Sequence, residues 1–568
     1  MKKILIASLC TVLCLVLFTG AVLAKDEPSL VINIDKTSMA SIEIHLADLT
    51  QTIQPLVTDT LLKALSEKDE DMARIVAVAV GAQIKEVAVS YGDDGFLVSL
   101  GLPAGDLTPL AKGQWSAESF GKAFGSSFTT HLGEEDGIKQ KQLTPVAPQI
   151  YATDSGQFYA VEGQVFLVGS SQNLVQAALE KLHKGQAVIA VPNSGQRVWI
   201  KTSYTVSHAS TEAGPFKETQ LNDEVLVFST KEGLKYQKKA NYTDVIPFLS
   251  STAPVTLKGL PFFGATDQNI IVSISGSLMY TLSKIKLASD GISMSAEGML
   301  PFALKDIKRI NLVTGGAQSS IMSVDIPAFY VSIDAANTVL DVLTPMVKSL
   351  NGEGWNDTQA TGWDSMATVD NLVIGDFPIP TQGFIAKRGE QLILGSAKKE
   401  ALVLAQGMPE ILKSIPDNTE YSMLMSFDLK SLWNQVAETL KPGSVARGLS
   451  GIDSSMSEGE VLAFKKLLAT PFPVKQVIQW SSPNLNETRG MILLEDDMHP
   501  FIDALCSYII ASGDDATPNS AQQGAQNSGE ASKENTQSET PSSEKGKDGA
   551  GSTEGNLFEH YKKFAPTN

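Results

Sequence analysis

Two tryptophans among carboxylates are the side chains of this sequence best suited to chemistry. Gly352-Glu353-Gly354-Trp355-Asn356-Asp357 runs to Thr361-Gly362-Trp363-Asp364 without a clear period. Trp355 and Trp363 could stack on a sugar ring while Asp357 and Asp364 accept from its hydroxyls. The same residues could instead fold back as anchors of a long loop. A second candidate is Leu257-Lys258-Gly259-Leu260-Pro261-Phe262-Phe263-Gly264, which is apolar and irregular. Phe262 and Phe263 suit a lid over an apolar pocket or an interface patch, and burial between two parts of the chain suits them equally.

Motifs for catalysis are missing. The six histidines (His45, His131, His183, His208, His499 and His560) fit neither a His-Glu-x-x-His helix nor a Cys/His zinc spacing. His131-Leu132-Gly133-Glu134-Glu135-Asp136 lacks the alternating oxygen ligands of a calcium loop. There is no Gly-x-Ser-x-Gly elbow, no phosphate-cradling glycine loop and no Ser-x-x-Lys paired with Lys-Thr-Gly. No catalytic residue, metal ligand or cofactor is therefore expected. Carboxylate pairs abound, as in any acidic chain, and spacing alone singles out none of them.

The elements around these residues mostly alternate in polarity. Glu86-Val87-Ala88-Val89-Ser90 turns at Gly92-Asp93-Asp94-Gly95 and returns through Phe96-Leu97-Val98-Ser99-Leu100, a hairpin pattern. Alternation predicts mainly antiparallel sheets with one apolar face. The expected fold class is α+β, with helices on one face of each sheet.

The chain also resembles itself. Phe158-Tyr159-Ala160-Val161-Glu162-Gly163 leads without a gap to Gly169-Ser170, as Phe384-Ile385-Ala386-Lys387-Arg388-Gly389 leads to Gly395-Ser396. Each Gly-Ser precedes a helical pattern, where serine suits an N-cap. Ile42–Leu46 feeding a helix with Pro55 parallels Tyr330–Ile333 feeding a helix with Pro345. Asp244–Leu249 parallels Asp497–Ile502. The expectation is two diverged copies, 25–250 and 320–512, joined by a strand-rich segment at 251–319.

Both ends differ from this body. Met1-Lys2-Lys3 precedes an uncharged run from Ile4 to Ala24, with small residues at the end. Residues 1–24 read as a secretory signal peptide, or as an N-terminal anchor if left uncleaved. The address is periplasmic or secreted. Beyond the leader only Cys506 remains, so no internal disulfide is expected. Residues 513–556 hold no large apolar side chain and read as a disordered linker. Residues 557–568 carry Phe558, Tyr561 and Phe564, which form either a docking peptide or a random terminus.

The whole chain has 45 basic and 63 acidic residues, a formal charge of −18. That excess opposes nucleic acid as a partner. No membrane contact is indicated beyond the leader.

Ile415-Pro416-Asp417-Asn418-Thr419, the alternating stretch to Phe427, and Asp428 opening a helix resemble a broad family of exported bacterial proteins of unknown function. The Gly389–Ser396 strand shares the likeness, which covers chiefly the second half. The resemblance implies a periplasmic α+β repeat and carries over no site residues. The expected function is envelope binding or scaffolding without catalysis, toward a protein, a glycan or an apolar ligand. The alternatives are a hydrolase using a carboxylate pair and a carrier of apolar ligands.

Overall fold

The computed structural model describes residues 30–49, 57–68, 70–125, 140–192, 195–211, 214–258, 260, 268–289, 292–294, 306–321, 324–350, 354–359, 361–370, 372–374, 377–379, 382–396, 409, 412–416, 418–440 and 456–513. All of them lie in one compact unit, Met1–Ala516. Residues 1–29, where the signal peptide is expected, residues 514–568 with Phe558, Tyr561 and Phe564, the His131 loop, and Phe262 and Phe263 fall outside the described residues.

The fold is mixed α+β around one large, mainly antiparallel sheet of 22 strands. The first half contributes β1 (Leu30–Ala47), β2 (Glu86–Gly92), β3 (Gly95–Gly101), β4 (Pro145–Ala147), β5 (Ile150–Ala152), β6 (Phe158–Glu162), β7 (Val165–Gly169), β8 (Val198–Ala209), β9 (Lys217–Thr230) and β10 (Gly233–Ala240). The second contributes β11 (Gln268–Ser275), β12 (Ile285–Ser289), β13 (Ile292–Met294), β14 (Ile307–Ile321), β15 (Val324–Ala335), β16 (Asn356–Thr358), β17 (Ser365–Val369), β18 (Gly383–Arg388), β19 (Gln391–Ser396), β20 (Met423–Asp428), β21 (Val474–Ser481) and β22 (Glu487–Leu494).

Eleven helices stand among the described residues: α1 (Asp59–Lys68), α2 (Glu70–Gly81), α3 (Thr108–Ala111), α4 (Ala117–Phe124), α5 (Gln172–His183), α6 (Tyr242–Val245), α7 (Gly276–Ser283), α8 (Asn337–Leu350), α9 (Leu429–Thr439), α10 (Glu458–Ala469) and α11 (His499–Gly513). None is long and apolar enough to cross a membrane.

Spatially the strands run β4-β5-β6-β7-β3-β2-β1-β8-β9-β10, then β22-β21-β20-β11-β14-β15-β19-β18-β17-β16. The halves meet edge to edge where β10 pairs antiparallel with β22 from Gly233↔Leu493 to Lys239↔Glu487. They meet again through α7, which leads from β11 into β12. That strand runs parallel to the start of β1, Leu30 facing Ile285.

The sheet is covered on both faces, where alternation predicted helices on one. Tyr159 belongs to a core with Phe120, Phe124 and Leu110, whereas the next residue, Ala160, packs with Val175 and Leu179 of α5. The second half repeats this division. Ile385 packs with Leu340 and Leu343 of α8, and Ala386 packs with Tyr330, Leu412 and Tyr421 on the opposite face. Central strands buried on both sides become continuously apolar, which Phe166-Leu167 and Leu392-Ile393 reflect. Helix α8 runs through Pro345.

Local signals agree with this architecture in several places. Gly163 and Gly389 hold φ of 58° and 53° at the β6–β7 and β18–β19 turns, a region that suits glycine because it has no Cβ. Asp93 and Asp94 form the β2–β3 corner, and Gly95 beyond them takes the positive φ of 107°. A capping box at Ser457 and Glu460 starts α10. Helices α9, α10 and α11 pack through Trp433, Leu467, Phe472 and Phe501. Cys506 is buried in α11, and that burial pushes its thiol above the usual range.

Candidate functional site

The tryptophan-and-acid segment is divided between the two faces. Asn356–Thr358 forms β16 against β17. Trp355 packs on the α8 side, and its indole donates to the Lys348 carbonyl at 3.0 Å. Trp363 packs into the opposite core, with Tyr330 and Phe384. The acids are engaged locally. Lys348 pairs with Asp357 at 2.9 Å, and the Gly389 amide donates to Asp364 at 2.6 Å, closing the β18–β19 turn. These four residues do not converge on one surface. The Gly-Ser element also works differently from a simple cap. Ser170 accepts from the Phe96 amide at 3.0 Å, and the next residue, Ser171, caps α5.

Two constellations were not evident from sequence. The first is a buried polar ladder in the second half. Across β11, β14 and β15, Ser273 faces Asn311 and Asn311 faces Ser332. Ser273 donates to Asn311 Oδ1 at 2.6 Å, and Asn311 Nδ2 donates to Ser332 at 2.7 Å. The Tyr421 hydroxyl lies 2.9 Å from Ser273 Oγ. One step along the strands, Arg309 faces Asp334, which faces Gln391.

Arg309 Nε donates to Asp334 Oδ2 at 2.9 Å, its Nη2 donates to the same oxygen, and its Nη1 reaches the Thr256 carbonyl at 2.7 Å. Burial raises the Asp334 carboxyl, while the guanidinium and the Gln391 amide pull it back. Segment 252–258 lies over this ladder. Val255 and Tyr421 exchange both backbone hydrogen bonds at 2.9 Å, and Val255 and Leu257 sit in the core.

The second constellation is an open face in the first half. A row of side chains crosses five strands: Glu43 (β1), Lys201 (β8), Glu224 (β9), Lys239 (β10) and Glu487 (β22). Lys201 and Lys239 are exposed, and no ion pair holds them among the described residues. Glu224 accepts from the Trp199 indole at 2.8 Å. A groove of about 530 Å³ lies over this row, walled by Ala190, Val191 and Pro192. A smaller one of about 330 Å³ adjoins at Glu43, Asp93 and Asp94.

At the inner end of this face, His45 Nε2 lies 2.8 Å from Glu86 Oε1. A neutral ring that donates there presents Nδ1 as an acceptor. His45 Nδ1 and Gln196 Oε1 are buried without a hydrogen-bond partner, on residues only 8% and 5% exposed. Among the described residues no group of three or more His, Cys, Asp or Glu is placed to hold a metal ion.

No family model, curated protein or solved structure matches the chain. The chemistry of the site therefore rests on its own geometry.

The hydrogen bond from His45, opposed by burial, lowers the Glu86 carboxyl below its ordinary value of 4.5. An acid lowered on folding adds stability that is complete above its unfolded pKa and is lost as pH falls through the folded one. The stability difference between wild type and Glu86→Gln should thus be constant near neutrality and shrink as pH drops below about 4.5. Urea unfolding in pH steps would measure it, and a difference independent of pH would sever this linkage.

Proposed function

We propose that the chain is an exported, non-catalytic binding scaffold of the cell envelope, built from two diverged copies of one α+β unit. The distribution of ionisable groups carries the binding part of this reading. The buried charges Arg309 and Asp334 are spent on each other, and buried His45 is held by the exposed Glu86. The open groove offers lysines, amides and an indole-bound glutamate on a strand surface. That is chemistry for recognition rather than for bond cleavage. The uncharged run before Ala24, with its basic start, supports export.

Three observations support the doubling. First, strand order is mirrored about the β10–β22 pair. Going outward, β10, β9, β8, β1, β2, β3, β7, β6 and β5 are answered by β22, β21, β20, β11, β14, β15, β19, β18 and β17. Second, superposing Gly169 on Gly395 and following the cross-strand registers carries Leu97 to Tyr330, Ser99 to Ser332, Ala88 to Asn311, Glu86 to Arg309 and His45 to Ser273. Glu86 and Arg309 then share a place in the sheet, each with its partner on a different neighbouring strand, His45 on β1 and Asp334 on β15. Third, the bend entering β8 and the one entering β20 bond alike. Arg197 donates to Val227 and accepts from Ala47, as Ser422 donates to Ser481 and accepts from Ser275.

On this reading the second copy begins at β11. The segment 251–319 then supplies its first strand, and β15 answers β3 rather than β1. An experimental structure should superpose His45 on Ser273 when Gly169 is laid on Gly395.

Purified chain should turn over no ester, glycoside, phosphoester or peptide in a broad panel. Turnover abolished by Glu86→Gln or Asp334→Asn would overturn the non-catalytic reading. Protein recovered from the envelope should begin at Lys25.

A further inference from the structure

Among the described residues, a segment lies across the sheet in the second half and none does so at the corresponding place in the first. In the second, the row Val313, Ile271, Ser426 and Ile478 is fully buried. Over it lies the segment 252–258, bridged to Tyr421 through Val255, with Val255 and Leu257 in the same core. The register that joins the halves places Ser90, Glu43, Lys201 and Glu224 on the corresponding row. It sets Gln196 at the place of Tyr421 and His45 at that of Ser273. Tyr421 and Ser273 bond to each other, whereas Gln196 Oε1 and His45 Nδ1 at the corresponding places are both buried without a partner. No backbone bridge is made at Gln196 among the described residues.

We propose that the first half binds an extended, acidic peptide of a partner protein across this face, in the place that residues 252–258 take in the second half. This inference rests on the two-copy reading above. Strand addition supplies affinity through main-chain hydrogen bonds and specificity through alternate side chains. Apolar residues at alternate positions would lie against Trp199, Val191 and Pro192, as Val255 and Leu257 lie in their own core. The acidic character follows from the floor. Lys201 and Lys239 present charges without ion-pair partners, while Glu224 between them is held by the Trp199 indole. Carboxylates on the peptide would give these two exposed ammonium groups direct partners. The peptide backbone meets Glu86 where the connector meets Arg309, so it donates an N–H there instead of offering a carbonyl.

The test uses the full chain without its leader and three ten-residue peptides that alternate valine with aspartate, serine or lysine. Fluorescence anisotropy reads binding. The aspartate peptide is expected to bind more tightly than the lysine peptide by at least tenfold. Lys201→Glu combined with Lys239→Glu should reverse that order. Lys201→Gln with Lys239→Gln should erase it, and thermal melting verifies that each variant is folded. Amide exchange at Gln196 should slow in the bound state. Equal binding of the three peptides, binding by none, or an order unchanged in the charge-reversed variant overturns the proposal. If the halves superpose in an experimental structure and no peptide binds, this inference fails alone. If they do not superpose, the reading beneath it fails as well.

Discussion

Arg309→Ala should cost about 3–5 kcal/mol of folding stability, the usual penalty for breaking a buried ion pair. Arg309 and Asp334 are 3% and 5% exposed. Removing the guanidinium leaves a carboxylate with only the Gln391 amide for support, and it strips the Thr256 carbonyl of its donor. Asp334→Ala should cost a similar amount by stranding the cation. The pair itself need not be a net source of stability, because desolvation offsets much of the attraction. The double variant Arg309→Met/Asp334→Leu should therefore recover most of the loss. Equilibrium urea unfolding of the three variants checks this, and a single variant within about 1 kcal/mol of wild type would show that water or a rearranged partner fills the gap.

The second large effect is expected at Gly395. A Cβ built there would sit 2.2 Å from the Phe329 carbonyl oxygen and 2.6 Å from the Tyr330 Cα. Both are backbone atoms of the adjoining strand, so no side-chain rotation relieves the contact and β15 and β19 must part. Gly395→Val should lose at least the upper end of the roughly 1–3 kcal/mol that overpacking usually costs. Gly169 is the instructive control. Its Cβ would meet Val175 Cγ2 at 3.0 Å and the Phe96 carbonyl at 3.2 Å, contacts that small adjustments can absorb. Gly169→Ala should cost about 1 kcal/mol, well below Gly395→Ala. Thermal melts of the two alanine variants decide the order. Equal losses would mean that the sheet spreads as readily at β15–β19 as at β3–β7.

What the sequence made legible was local. The β2–β3 corner, the glycine turns at 163 and 389, and helix α5 after the first of them follow from residues within a few positions of one another; the helix expected after Ser396 lies outside the described residues. The buried ladder was not legible, for a physical reason. Arg309, Asn311, Ser273 and Ser332 alternate with apolar neighbours, as a solvated face does. They are interior because residues distant along the chain, Val255, Leu257, Leu412, Ile415 and Tyr421 among them, share the core on that face. Alternation reports which side chains share a face and carries no information on what covers that face. A cue was available in the charge pattern, since Arg309 and Asp334 each stand beside apolar residues with opposite sign.

Trp355 and Trp363 posed the inverse problem. Eight positions apart in a segment without period, they looked like one platform, yet with strand β16 between them each packs into its own core. The first-half groove was hidden for a third reason. Lys201, Glu224 and Lys239 are ordinary surface residues individually, and only strand register sets them in line.

The β10–β22 pair has a consequence for the order of events in biosynthesis. Gly233–Lys239 must wait for Glu487–Leu493, about 250 residues later, before its hydrogen-bonding edge is satisfied. During that interval the first half presents an unpaired strand, the kind of edge that recruits other chains. The composition of β10 meets this hazard. Lys235, Lys238 and Lys239 load the waiting edge with positive charge, which discourages a second copy of the same strand from adding to it. The segment that eventually seals the edge brings Glu487 opposite Lys239, so the charge that repels a stranger welcomes the correct partner.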